Sequence, residues 1–417
     1  MTRLSARAAA LQTTIDLYPD LFATSAGTIN LGPGDPQFGL PEAGRLGVVR
    51  ALEAGHTGYT AANGLAELRQ AIAKSLADQH GRHYDRDCIT VTNGSKQALA
   101  NSILATVEPG DEVVLIAPYY SVYRQMVLLA GGIPVVVSSD PASGFALPVA
   151  EISRALSPRT RWILLNSPCN PTGRVTTADE LRALWSCIAA HPDVGVLSDQ
   201  VYELLTFDGR IAPCMASICP EAAERTVLIS GYSKSFNMTG LRIGYAATNA
   251  TLARALTRLQ FVTTSCASSL GQYAALAILA GDASDYLARS RRMLKALTDR
   301  TAAAVTAGSS LRPLAPHAGL YLFADCGDYL GAADTAGRPV TTDLDLVRYL
   351  SDVAQVLVMP GTLFGTPGWL RITCAVDERT LDEGVARILG ALGQLTPPSS
   401  VTSSSVISSS VTSSGAT

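Results

Sequence analysis

The sequence predicts an α/β protein: a three-layer α/β/α large domain around a mostly parallel seven-stranded sheet, plus a smaller α+β domain. Three observations carry this. From about residue 46 to 290, short β-rich runs alternate with helical stretches. Several runs are apolar without interruption, as in strands covered by helices on both faces. From about residue 291 the alternation gives way to a long helical stretch and scattered short strands.

The candidate strands come in order as CITVT (88–92), EVVLI (112–116), IPVVVS (133–138), RWILLN (161–166), VGVLS (194–198), TVLIS (226–230) and RIGYAA (242–247). Between them lie helical segments such as KQALANSILATV and TADELRALWSCIAA. In the latter, Thr177 and Asp179 precede Glu180, a signal for a helix N-terminus. A helix over about 285–307 leads into GLYLFADC, a polar loop, DLVRYLSDVAQVLVMPG and LRITCAV. The expected division is residues 1–45 as an arm and part of the small domain, 46–290 as the large domain and 291–395 as the small domain. Residues 396–417 form a Ser/Thr tract without charge or aromatics, expected to be disordered.

Bulk properties exclude several classes. The chain has 417 residues, 47% hydrophobic and 16% charged, enough for a sizeable core. Its formal net charge of −3, with no Lys/Arg cluster, argues against nucleic-acid binding. The first residues lack the apolar block of a signal peptide, and runs such as YAALAILA are too short to span a bilayer. Eight scattered cysteines without a CxxC pair read as reduced thiols of a cytoplasmic enzyme. The five histidines have no metal-ligand spacing, so no metal site is expected.

Ligands of an open parallel sheet bind beyond the carboxyl ends of its strands. After CITVT come Asn93, Gly94, Ser95 and Lys96 at a helix start, where backbone N–H groups attract anions. After EVVLI comes Tyr120, a ring able to stack on a planar ligand. After RWILLN comes SPCNPTG with Asn170, a potential amide donor. After VGVLS come Asp199, a carboxylate that needs a cation or donors there, and Tyr202. After TVLIS comes SGYSKSFNMTGLRIGY (230–245) with Lys234 and Arg242. Each feature alone has a plainer reading: a turn, a core-edge tyrosine, a lysine snorkelling to water. Together they put a phosphate cradle, a stacking ring, an amide, a carboxylate, a phenol, a lysine and an arginine at one sheet edge. Pyridoxal 5′-phosphate (PLP), a planar phosphorylated aldehyde with a ring nitrogen, needs this set.

The stretches TNGSKQAL, NSPCNPTG, SDQVYE and SKSFNMTGLRIGY resemble the motifs of fold-type I PLP-dependent aminotransferases, class I/II, in order and spacing. The resemblance runs from INLGPGDPQF to RITCAV. It implies that Lys234 forms the Schiff base and then moves the α-proton of the substrate. It implies that Asp199 pairs with the ring nitrogen, and that Asn170 and Tyr202 bond the phenolic oxygen. Tyr120 would stack on the ring. Arg242 would bind the phosphate with the Gly94 turn, the N–H groups of Ser95 and Lys96, and the Ser233 hydroxyl. Arg371, in WLRITCA, would grip the substrate carboxylate with help from the Gly34 N–H and Asn170. Tyr59, in TGYTAANGL, resembles a tyrosine that reaches the neighbouring subunit's phosphate, and TTSCASSLGQ resembles an intersubunit loop. Both imply a homodimer with shared active sites.

The chain departs from the family pattern at Gln200, where many relatives carry Glu, and at Pro33, Gly231 and Tyr120. Tyrosine at position 120 also resembles aminocyclopropane-carboxylate synthases. The expected activity is amino-group transfer between an L-amino acid and a 2-oxo acid. The alternative is β- or γ-elimination, replacement or cyclisation on the same scaffold. A non-catalytic PLP-binding regulator is disfavoured, because no helix-turn-helix or basic patch precedes NLGPGDP.

Overall fold

The computed structural model describes residues 3–11 and 27–396. Strand β1 (Ile29–Asn30) belongs to the smaller part of the molecule. Seven strands then build the main sheet: β2 (Ile89–Thr92), β3 (Glu112–Ala117), β4 (Ile133–Ser138), β5 (Thr160–Asn166), β6 (Gly195–Asp199), β7 (Thr226–Gly231) and β8 (Gly244–Ala247). Each falls on a run expected from the sequence. Their spatial order is β2-β8-β7-β6-β5-β3-β4, parallel except for β8, which runs against both β2 and β7. The carboxyl ends of β2, β3, β5, β6 and β7 therefore share one edge of the sheet.

Alternation along each strand explains the layers. On β3, Val113 and Leu115 pack with Leu99, Ile103, Leu252 and Leu256 from helices Ser95–Thr106 and Ala250–Thr264. The intervening Val114 packs on the opposite face with Leu181, Leu184 and Ile188 of helix Ala178–Ile188. That helix opens with a full capping box, Thr177 and Glu180 each bonding the other's backbone N–H. β4 is the exception to two-sided burial, with Ile133 and Val136 partly exposed. It is an edge strand, and there Pro134 costs no ladder bond that the sheet needs.

Helix Ser284–Gly308 leads into the second sheet system. Strands β9 (Arg312–Leu314) and β10 (Tyr321–Asp325) are followed by a small ribbon, β11 (Ala332–Ala333) with β12 (Pro339–Val340). β13 (Val356–Leu357) pairs with β1 in parallel, as expected if INLGPGDPQF joins this part. β14 (Met359–Pro360) and β15 (Trp369–Thr373) complete the antiparallel order β14-β15-β10-β9. Leu31, Leu322, Ile372 and helix residues Leu381 and Ile388 form its core. Thr396 still pairs with Ala333 through two backbone bonds. The rest of the Ser/Thr tract lies outside the described residues. The eight cysteines are unpaired. Among the described residues no helix is long and apolar enough to cross a membrane.

Candidate active site

A cleft of about 400 Å³ opens where the shared sheet edge meets β1, β13 and β15. Its lining includes Gly34, Ser95, Lys96, Tyr120, Asn170, Asp199, Tyr202, Ser233, Lys234, Arg242 and Arg371. The volume is in the range of small-molecule sites.

At the end of β2 the chain turns through Gly94 at φ +82° into helix Ser95–Thr106. A Cβ at Gly94 would lie 2.4 Å from Arg242 Nη2, so only glycine lets the guanidinium sit against this turn. The helix has no acidic residue in its first turn and no side-chain cap, which leaves its N-terminal N–H groups open toward an anion. Arg242 donates to the carbonyls of Thr239 (2.8 Å) and Asn93 (3.2 Å), and no carboxylate among the described residues pairs with it. Gly94 thus shapes the cleft through Arg242 rather than lining it.

Three residues past Tyr120, in helix Val122–Ala130, Tyr123 donates its hydroxyl to Asp199 Oδ2 at 2.6 Å. The Val201 N–H reaches Oδ1 at 3.2 Å. Asp199 ends β6, is 4% exposed and meets no cation among the described residues. Burial pushes its carboxyl up to about 6, against the bonds from Tyr123 and Val201. Asn166 bonds the Asp199 carbonyl at 3.0 Å and accepts from the Asn170 N–H at 2.7 Å, which orders the SPCNPTG loop. The Tyr202 and Tyr321 hydroxyls meet at 2.9 Å.

Lys234 sits in the short helix Tyr232–Ser235 and donates to the Gly34 carbonyl. Burial lowers its ammonium to about 8, opposed by Asp35 and reinforced by Arg371, Arg242 and Lys96. Arg371, on β15, is 5% exposed. It donates to Asn170 Oδ1 at 2.8 Å and to the Gly32 carbonyl, and stacks against Tyr321 and Phe364. Among the described residues its Nε has no partner and no carboxylate pairs with it. Among the cleft residues four cations, Lys96, Lys234, Arg242 and Arg371, face one carboxylate, Asp199. The site is built for anions.

Tyr59 stands apart from its own chain's cleft and is 89% exposed. Sequence reasoning missed Asn30, Tyr123, Asn166, Thr239, Tyr321, Leu357 and Met359, which also line the cleft. The i,i+3 spacing of Tyr120 and Tyr123 was a usable signal for one of them. Tyr321 had none, since it arrives from the second sheet.

The family model for aminotransferases of class I and II matches residues 26–388. The chain belongs to this family. It is a PLP-dependent aminotransferase, moving an amino group between an amino acid and a 2-oxo acid. Aspartate aminotransferase from Rhizobium meliloti is 37% identical over 368 residues, 88% of this chain and 90% of the relative. Aspartate/prephenate aminotransferase from Cereibacter sphaeroides is 37% identical over 369 residues, 88% and 92% of the two chains. The crystal structure of the aspartate aminotransferase from Rhizobium meliloti superposes with a TM-score of 0.91 at 34% identity, covering 95% of this chain and all of that one. That of Thermus thermophilus with maleate gives 0.85 at 29% identity, over 94% of this chain.

The cleft of this aminotransferase fits the cofactor. Asp199 is a buried carboxylate lacking a cation, which a ring N–H can supply. The glycine turn, the open helix N-terminus and Arg242 form an anion cradle. Lys234 is a half-buried amine lining the same cleft.

Proposed function

We propose that this aminotransferase acts on a dicarboxylic amino acid of the aspartate type, with its 2-oxo acid as product. The observation that carries this is the surplus of cations in the cleft. Arg242 has the phosphate to neutralise, and Lys234 is the reacting amine. Two cations remain, Arg371 and Lys96, enough for two substrate carboxylates. Lys96 Nζ hangs 5.8 Å over the Tyr120 ring and has no carboxylate partner among the described residues. The names of the relatives, aspartate and aspartate/prephenate aminotransferase, support the same reading.

When bound, PLP supplies an aldehyde that captures amines and a ring that withdraws electrons from the substrate α-carbon. In our reading the chain does the rest. Asp199 holds the ring N–H, with its own orientation kept by Tyr123. Asn170 and Tyr202 would hold the phenolic oxygen, and Tyr120 would lie against the ring. The backbone N–H groups of Ser95 and Lys96, the Ser233 hydroxyl and Arg242 would hold the phosphate, with Gly94 shaping the turn against which Arg242 packs. Arg371 fixes the α-carboxylate next to Asn170 and Gly34, which orients the Cα–H bond. Lys234 Nζ would take the α-proton of the substrate. Its lowered ammonium pKa makes it a base near neutral pH.

We further infer a cytoplasmic homodimer with shared sites, divided into a large domain over 46–290 and a small one over 291–395, with residues 1–45 as an N-terminal arm and part of the small domain. Tyr59, Phe261 and Val262 are 89%, 68% and 74% exposed, an apolar surface suited to a second copy. Tyr59, Asn93 and Ser268 border one surface hollow of about 500 Å³.

Lys96→Met tests the substrate reading. It should cut kcat/KM for aspartate by about ten- to a hundredfold, the worth of one charged hydrogen bond, and leave alanine within about threefold. Equal losses for both substrates overturn the assignment.

A further inference from the structure

The mechanism leaves a buried polar cluster unused. His80 Nε2 lies 3.0 Å from Glu203 Oε2, and both side chains are 3% exposed. The other carboxylate oxygen, Oε1, accepts from Ser230 Oγ at 2.6 Å. None of the three lines the cofactor cleft; Glu203 and Ser230 face a separate cavity of about 250 Å³. Tyr232, Tyr245 and Cys214 also surround Glu203. A carboxylate this deep is costly to bury, and an apolar residue would fill the space at less expense.

The cluster's position in the chain gives it a use. His80 is the last residue of helix Ala66–His80. Glu203 follows Tyr202 in the turn after β6, four residues past Asp199. Ser230 lies in β7, four residues before Lys234. The same turn is tied to β7 by Gln200 N–H to the Ile229 carbonyl at 2.8 Å. Two segments that must present Asp199, Tyr202 and Lys234 to different atoms of one small cofactor are thus pinned together from outside the cleft.

We propose that His80, Glu203 and Ser230 form a positioning brace that holds the Asp199–Tyr202 turn in register with the strand end carrying Lys234. This rests on the site reading above. The brace acts through geometry: without the Glu203 carboxylate, Ser230 and His80 each lose a buried partner and the two strand ends lose a shared anchor. The charge of Glu203 also adds to the upward push on Asp199, behind the larger effect of burial.

The test uses the holoenzyme and two variants, Ser230→Ala and Glu203→Gln. Ser230→Ala removes one bond and no charge, so it keeps the test readable if Glu203→Gln folds poorly. The readouts are the visible circular dichroism of the bound cofactor, its rate of loss under dilution, and kcat with KM. A brace predicts weaker visible dichroism, faster cofactor loss and a kcat about tenfold lower with KM within about twofold, as misplacement costs rate before binding. Thr106→Val is the control. It removes the Thr106 hydroxyl that accepts from Trp162 Nε1 at 2.7 Å, at the far end of the cradle helix, and should lower melting temperature alone. If both brace variants lower melting temperature but keep wild-type dichroism, cofactor retention and kcat, the cluster is only structural and the proposal fails. Borohydride fixation of the cofactor on a lysine other than Lys234 in the wild type would overturn the site reading instead.

Discussion

Asp199 sets activity against stability, and Asp199→Asn in the cofactor-free enzyme exposes the conflict. With the site empty, burial holds the carboxyl at about 6 against an ordinary 3.8. Between those values the folded chain keeps a proton that the unfolded chain has released, so stability falls as pH rises through this window. The penalty is absent below about pH 4 and complete above about pH 6. A shift of roughly two units at about 1.4 kcal/mol each makes it about 3 kcal/mol. An asparagine carries no charge, and its carbonyl oxygen can still accept from Tyr123. The cofactor-free variant should therefore exceed cofactor-free wild type by about 2–3 kcal/mol at pH 8, and the gap should close toward pH 4. With the cofactor bound the proposed role of Asp199 reverses the order, since the wild-type carboxylate would then hold the ring N–H and the variant would not. Activity should fall at least about a hundredfold, the scale for losing a preorganised electrostatic partner. Thermal melts of both forms across pH 4–8 read the outcome. A cofactor-free variant no more stable than wild type at pH 8, or a gap independent of pH, would refute the account of Asp199 as an unpaired buried charge.

Three further outcomes follow from the same geometry. Arg371→Lys keeps a charge but loses the planar fork, and should raise KM for amino acid and oxo acid together by about tenfold or more, seen in steady-state kinetics for both half-reactions. Gly94→Ala puts a methyl group 2.4 Å from Arg242 Nη2 at a backbone φ of +82°; cofactor affinity, read by fluorescence titration, should drop at least about tenfold while the apoenzyme stays folded. In the cofactor-free enzyme, an amine-selective acylating reagent at pH 8 should label Lys234 ahead of the exposed Lys74 and Lys295, because its ammonium, lowered by burial to about 8, is half neutral there; mass spectrometry locates the adduct.

Much of the large sheet was readable because its strands are buried on both faces. EVVLI and TVLIS carry apolar residues at both parities, so the runs stand out whatever their register. Strand order was not readable. Nothing local in RIGYAA says that β8 inserts against the direction of β2 and β7, a matter of long-range pairing. The site divides the same way. Asp199, Asn170 and Lys234 stand directly after recognisable strands. Tyr321 and Met359 come from a second sheet whose placement no local pattern encodes, and Tyr123 gains meaning only once β3 and β6 bring its hydroxyl to Asp199. The His80–Glu203 pair joins residues 123 positions apart on elements with no shared motif.

Arg371 reaches the carbonyl of Gly32, a residue 339 positions earlier, and Leu31 bonds β13 and β15 from the same strip. A chain emerging from the ribosome makes this strip early and its partners last. The large sheet can fold while residues 29–34 wait, half of a substrate grip with nothing to close on. On the proposed role of Arg371, the substrate grip would be the last part of the site to assemble. Any cut between the large sheet and β15 would remove Arg371 and leave the Gly32 carbonyl and Asn170 Oδ1 without the guanidinium that bonds them.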